Sequence, residues 1–350
     1  MFARNCTAVR PYLKYFVLLK CFHIENMANS RYEYVKSYET HDTLQKNCWI
    51  VIRVDGKGFS KFCDVHKFTK PNDERGLNLM SLAAITVMQE FNEIILAYGQ
   101  SDEYSFVFRR DACIYDRRRD KLISCVGSLF TSAYTFNWSY LFMDASSPKY
   151  PPTFDARAVL YPTDQNIRDY LSWRQADVHI NNLYNTTFWN LVESGISNSE
   201  AEKRLRGTLS SDKNEILFQE FNINYNNELA MFRKGTILLR KQINLRSGKC
   251  ISCIAPYFED LISNSFWEQH PELLDKTRKG CFSETGSCHL TIQNVFWSRF
   301  VAPVHHYGSR NTHIGWYLVI CRCFSDTGSR HFGFHNGIRR QFLDFERHTG

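Results

Sequence analysis

Trp49, Ile50, Val51, Ile52, Arg53 and Val54 form an apolar, β-branched run that ends on Asp55 and Gly56. Such a run reads as a buried strand closed by a carboxylate. Forty-seven residues after Asp55, the segment Gln100–Phe108 carries Asp102 and Glu103 into a second, aromatic run of strand type. Between them Leu77, Met80, Ala84, Val87, Phe91 and Ile95 recur at spacings of three and four. That period predicts an amphipathic helix ending near Leu96, opened by a cap in Lys70, Pro71, Asn72 and Asp73. A strand, a long helix and a strand hairpin leave few folds open. The helix crosses one face of a sheet, and both acidic strand ends lie on the same edge.

A lone Asp after a strand is ordinarily a turn former or helix cap. Two such sites on neighbouring strands mean more, because close carboxylates repel unless a cation lies between them. Phosphoryl transfer on a pair of Mg²⁺ ions about 3.5–4 Å apart needs this arrangement. Mg²⁺ accepts few protein carboxylates and completes its shell with water and substrate phosphates.

The net charge of +7 invites a polyanion partner, but residues 1–26 hold +3 and residues 276–350 hold +6, leaving −2 for 27–275. The middle of the chain has one basic cluster, Arg109, Arg110, Arg117, Arg118, Arg119 and Lys121. It reads either as a solvated face or, directly after the carboxylate hairpin, as a triphosphate or RNA-backbone contact. Hydrophobic content of 43% and aromatic content of 15% indicate a globular chain, and no apolar stretch is long enough to span a membrane. Twelve cysteines without systematic spacing indicate reduced thiols rather than a disulfide framework. Cys250 and Cys253 make the one CxxC, a weak zinc signal without a second pair.

Residues 1–26 form a basic leader of uncertain status: a weak mitochondrial presequence, or a segment upstream of a start at Met27. Cytoplasmic and mitochondrial locations both stay open. A second helix is expected from about Asp120 to Phe142, a strand at Ala156–Tyr161, an Asn-rich helical stretch through His179 to Asn227, and a strand at Lys234–Arg240. From Lys276 the chain turns rich in His, Arg, Ser and Gly around an isolated apolar patch, Ile314–Ile320, and is expected to be poorly ordered.

From Met27 to Asp275 the chain resembles the tRNA-His guanylyltransferases, nucleotidyltransferases that work in the reverse direction. The likeness rests on long strings: Arg53 to Gly56 with Phe59, Lys70 to Asp73, Tyr98 to Phe106, Tyr170 to Asp177 with His179 to Asn185, Asp212 to Phe218, and Phe266 to Asp275. It implies an α+β fold. A polymerase-like palm over 27–161 has an antiparallel or mixed sheet packed by long helices, and a helical part for tRNA recognition over 162–275 closes the same globule. It also implies a homotetramer acting on histidine tRNA, with ATP, GTP and two Mg²⁺ ions. ATP adenylylates the tRNA 5′-monophosphate, and the GTP 3′-hydroxyl then displaces AMP.

Carried over by position, Asp55, Gly56 and Asp102 are implied as metal ligands, with Glu103 supporting the catalytic pair. Lys57, Gly58, Phe59, Ser60, Lys70, Asp73, Ser101, Arg118 and Lys121 are implied around the nucleotide, and His179, Lys213 and Asn224 around the tRNA. The pattern departs at Ser60, where family members carry a His; Ser keeps a hydrogen-bonding group and loses the stacking ring. By themselves, His179 reads equally as a structural histidine, and Asn181, Asn182 and Asn185 as buried side chains bonding backbone. Two rival readings share the acidic hairpin: a palm-type nucleotidyl cyclase and a non-catalytic RNA-binding palm protein.

Overall fold

A computed structural model describes residues 30–143, 145–244, 250–274 and 320–321. The chain runs β1 (Trp49–Gly56), α1 (Phe59–Val65), α2 (Glu74–Glu90), β2 (Ile94–Gln100), β3 (Glu103–Phe108), α3 (Arg119–Phe136), α4 (Trp138–Leu141) and β4 (Phe154–Tyr161). It continues with α5 (Asp164–Glu193), α6 (Asn198–Leu205), α7 (Ser210–Phe221), α8 (Ala230–Lys234), β5 (Thr236–Asn244), β6 (Cys250–Tyr257), α9 (Asn264–Gln269) and β7 (Ile320–Cys321). The sheet order is β4-β1-β3-β2-β5-β6-β7, with every neighbouring pair antiparallel. Its first four strands, with α2 and α3 as connections, make a β-α-β-β-α-β unit.

Both faces of this sheet are covered. Ile50, Ile52 and Val54 pack with Phe106, Phe108 and the buried sides of α2 and α3, whereas Trp49 and Val51 pack with Tyr170, Leu171 and Val178 of α5. Strand side chains alternate between faces, so β1 is apolar at consecutive positions because neither face meets water. Full burial of such side chains contributes about 1.5–3 kcal/mol each, which holds the acid-tipped ends of β1 and β3 in one register. Among the described residues no helix is long and apolar enough to cross a membrane.

The structure corrects several boundaries. α2 ends at Glu90, not near Leu96, and Ile95 and Leu96 belong to β2. The helical period runs in phase into a strand buried on both faces, where periodicity cannot mark the boundary; pairing with β3 and β5 decides it. The helix expected over Asp120–Phe142 breaks at Asn137, whose amide side chain donates to the Ala133 carbonyl at 2.8 Å. Asn competes for helix carbonyls in this way. The strand expected at Lys234–Arg240 runs from Thr236 to Asn244 and is followed by β6, which was not anticipated. Cys253 is buried on β6, and the side chain of Cys250, its CxxC partner, lies outside the described residues. The leader, 1–26, lies outside the described residues, as does the tail apart from Ile320–Cys321, which pair with β6.

Candidate functional site

β1 ends on Asp55 and Gly56, and the register places Asp55 opposite Glu103 of β3 and opposite Asp155 of β4. The β2–β3 turn consists of Ser101 and Asp102, with Ser101 in the left-handed region at φ 47°. The Gly56 amide donates to the Asp102 carbonyl at 3.0 Å, tying this turn to the end of β1. The approach is so close that a Cβ at Gly56 would lie 2.9 Å from Asp102 Oδ2 and 2.3 Å from the Phe59 ring. Only glycine fits there.

The four carboxylates of this edge differ in environment. Burial pushes the Asp102 carboxyl up to about 6; the negative charges of Asp55 and Glu103 add to this, against backbone and Ser101 hydrogen bonds. Glu103 is also raised by burial, but Arg174 and Arg53 oppose the shift. Arg174 Nη1 lies 3.4 and 3.3 Å from the two Glu103 oxygens, and Arg53 Nε lies 3.7 Å away. Glu103 is therefore engaged by cations of the protein, whereas the Asp55–Asp102 pair retains its repulsion. Asp155 is paired with Arg157 at 2.9 Å.

Among the described residues no three His, Cys, Asp or Glu side chains cluster as a metal cage. Two carboxylates beside a close backbone suit a hard cation that leaves most of its shell to water and phosphate, which is the habit of Mg²⁺. The donor set fits that ion. Asp55, Asp102 and the Gly56 carbonyl are the groups that would hold it.

This edge opens onto a cleft of about 820 Å³. Asp55, Phe59, Ser60, Lys70, Asp73, Ser101, Asp102 and Glu103 line it from the palm, joined by Cys63, Asp64 and Tyr134. The opposite wall is helical: Arg174, Asp177, Asn181, Asn185 and Trp189 of α5, Glu202 of α6, and Met231 and Phe232 of α8. Asp73 caps α2 by accepting from the Arg75 amide at 3.0 Å and from Thr69 N at 2.9 Å. Burial works against its ionisation, but Arg75 and these amides outweigh it and hold the carboxyl below its usual range. Lys70 Nζ lies 3.0 Å from Asp64 and 5.3 Å from the Trp189 ring centre, spanning the two walls.

Eight of the expected site residues thus meet in the cleft. Gly56, Lys57 and Gly58 form the turn beside it; the Lys57 amide donates to Thr153 O, and Gly58 opens α1 at φ 68°. Arg118 and Lys121 do not join them. They sit at the other end of β1, roughly 25 Å away along the strand; Arg118 is paired with Asp42 at 3.5 Å, and Lys121 Nζ lies 4.6 Å over Tyr115. The basic cluster divides further: Arg117 is buried and donates to the carbonyls of Leu44, Gln45, Cys48 and Ala112, a structural clamp.

His179, Lys213 and Asn224 also lie outside the cleft lining. His179 meets Tyr225 edge-on at 5.5 Å, and burial with the nearby Arg233 lowers its pKa. Lys213 Nζ donates to Thr208 O at 2.8 Å, and Asn224 caps the turn Tyr225–Asn227. Asn181, Asn182 and Asn185 all reach the cleft lining, and Asn182 is also buried and donates to the Tyr225 hydroxyl. Sequence reasoning gave no role to Arg174, Trp189 or Tyr134. The first sits in a quoted string whose positions had no spatial partner; the last reads as ordinary helix core.

Comparison with known proteins places the chain in a family. The family model described as tRNAHis guanylyltransferase matches residues 32–162, and that of the Thg1 C-terminal domain matches residues 165–279. The probable tRNA(His) guanylyltransferase of Drosophila melanogaster is 58% identical over 257 residues, covering 73% of this chain and 89% of that protein. Its Homo sapiens counterpart is 50% identical over 268 residues, covering 71% and 90%. The crystal structure of the Saccharomyces cerevisiae tRNA(His) guanylyltransferase is 48% identical and superposes with a TM-score of 0.58 over 60% of this chain and 93% of that one. A bacterial Thg1-like protein solved with ATP, 21% identical, shares the fold with a TM-score of 0.56 over 69% and 96%. With the acid-tipped strands, the antiparallel palm sheet and two family domains in sequence, this chain belongs to the tRNA(His) guanylyltransferase family of nucleotidyltransferases.

Proposed function

We propose that the chain adds one guanosine to the 5′ end of histidine tRNA, in two phosphoryl transfers within this cleft. ATP first adenylylates the tRNA 5′-monophosphate, with pyrophosphate leaving. The 3′-hydroxyl of GTP then attacks the activated phosphate, a new phosphodiester forms and AMP leaves; removal of pyrophosphate leaves the extra guanosine. The observation that carries this is the meeting of Asp55, Gly56 and Asp102 on one sheet edge, facing a cleft large enough for a nucleotide.

Two Mg²⁺ ions, when bound, lower the pKa of the attacking hydroxyl and screen charge on the leaving group. The protein's own residues do the rest. Asp55 and Asp102 are fixed by register and turn, and Glu103, clamped by Arg174, holds the end of β3 without competing for a ligand. Lys70 lies at the cleft mouth between Asp64 and Trp189, where a cation suits a triphosphate. Ser60 offers a hydroxyl on the same lining.

We assign catalysis to 27–161 and tRNA positioning to 162–275, with His179, Lys213 and Asn224 as candidate RNA contacts on the outer side of the helical part. Phosphate contacts position an RNA, and unpaired bases specify it. A homotetramer is part of the proposal; Phe136, Tyr140 and Met143, exposed at 74%, 46% and 82%, offer apolar surface for it. Incubation with 5′-phosphorylated histidine tRNA, ATP and labelled GTP tests the activity. Label at the tRNA 5′ end supports it; a cyclic dinucleotide would indicate a cyclase instead, and binding without product an RNA-binding palm.

A further inference from the structure

Five tyrosines are buried among the described residues: Tyr98, Tyr104, Tyr134, Tyr170 and Tyr225. Four of their hydroxyls are bonded within the protein. Tyr98 donates to Lys234 O at 2.7 Å, Tyr104 meets Ser81 Oγ at 3.1 Å, Tyr170 meets Ser105 Oγ at 2.7 Å, and Tyr225 accepts from Asn182 at 3.0 Å. Tyr134 Oη has no partner, and Tyr134 lines the cleft. An unpaired buried hydroxyl is destabilising, and phenylalanine would fill the same space without that cost.

The ring is held firmly in place. It packs edge-on against Phe59 at 5.9 Å, Phe154 at 5.4 Å and Phe62 at 6.3 Å, with Trp138 tilted at 6.2 Å. Burial raises its pKa far above the usual phenol range, with Cys63, Asp102 and Asp73 adding to the shift. The hydroxyl therefore stays a neutral donor, under the influence of Asp102 and of Asp73 at the cap of α2.

We propose that Tyr134 is a base-binding residue whose hydroxyl donates a hydrogen bond to the purine base of the bound nucleotide. This rests on the nucleotide role proposed for the cleft. The lining also includes Phe59, which packs on Tyr134, together with Cys63, Leu77 and Met80, apolar surface suited to a flat heteroaromatic ring. A triphosphate would be stripped of water there without compensation, whereas the carboxylate edge with its cations and Lys70 can receive it. Ring nitrogens and exocyclic oxygens of a purine are acceptors, which is what an orphan phenol lacks.

The test compares full-length wild type with Tyr134→Phe in equilibrium titrations with ATP, GTP and inorganic tripolyphosphate at constant Mg²⁺, alongside thermal melts. Affinity for ATP and GTP is expected to fall about 3–10-fold, as for loss of one neutral hydrogen bond. Tripolyphosphate affinity stays unchanged, and the ligand-free melting temperature stays level or rises. In turnover, KM rises by the same factor with kcat within about twofold. Tyr98→Phe is the control with the opposite pattern: lower stability and unchanged nucleotide affinity. Equal nucleotide affinity in wild type and Tyr134→Phe overturns the proposal. An equal loss for tripolyphosphate overturns the base assignment, and lost stability with full affinity marks a structural hydroxyl satisfied by buried water. If wild type itself binds neither ATP nor GTP, the nucleotide role of the cleft fails first and this inference goes with it.

Discussion

The two walls of the cleft are built by different rules. On the palm wall, Asp55, Gly56, Asp102 and Glu103 are positioned by backbone: a strand register, a two-residue turn and one amide–carbonyl bond across a glycine. On the helical wall, Arg174, Asn181, Asn185 and Trp189 follow the face of one 30-residue helix. Their tie to the palm runs through side chains, Arg174 to Glu103 and Trp189 to Lys70. Backbone register leaves the carboxylates little room to drift, which suits chemistry. Side chains spaced along a helix can change one by one, which suits recognition. The walls should accordingly fail differently when altered.

The largest effect is expected on the palm wall. Asp55→Asn or Asp102→Asn should lower guanylyl transfer by about 10³-fold or more, the scale of losing a principal electrostatic element, with circular dichroism unchanged. Wild-type turnover at saturating Mg²⁺ would remove that carboxylate from the chemistry.

At the joint between the walls, Arg174→Gln leaves buried Glu103 with Arg53 alone at 3.7 Å. Breaking a buried pair from one side costs about 3 kcal/mol, read as a lower midpoint in urea. Adding Glu103→Gln should recover part of the loss. A change under about 1 kcal/mol would mean that the walls are mechanically independent.

A pH effect separates the walls next. Asp102 titrates near 6 in the folded protein, above an ordinary carboxyl. Between about pH 4 and 6 the folded state therefore keeps a proton that the unfolded state has released, so stability falls as pH rises through that window and then levels. With the cleft partly open to solvent, the drop should be on the order of 1–2 kcal/mol in chelator. Mg²⁺ or Asp102→Asn should flatten it, whereas Arg174→Gln should not. A flat profile in chelator would show that Asp102 is unperturbed.

The smallest effect belongs to the outer helical surface. Lys213→Ala should weaken tRNA binding a few-fold and make it less steep in salt by about one counterion, with ATP and GTP binding unchanged. Equal damage to both ligands would put Lys213 in the core or the nucleotide site.

What could be read in the sequence follows the same division. β1, the β2–β3 hairpin and α2 were legible, because alternation, helical spacing and an Asp cap are local signals. Ile95 and Leu96 were misassigned, since an apolar residue is equally at home in a helix or in a strand buried on both faces. Arg118 and Lys121 were grouped with the carboxylates by family position, yet the fold of a single chain sets them a strand's length apart.

From its sequence alone, this chain declared its palm strands, the acidic residues that tip them and its family, because each is written in residues close together along the backbone. Tertiary structure alone decided that Arg174 occupies Glu103, that Arg117 clamps carbonyls instead of meeting an anion, and that Tyr134 is, among the described residues, the buried phenol without a partner. These outcomes depend on which groups burial brings together from distant segments. The free energy of a polar atom is set by the partner it finds there, and no local pattern encodes that.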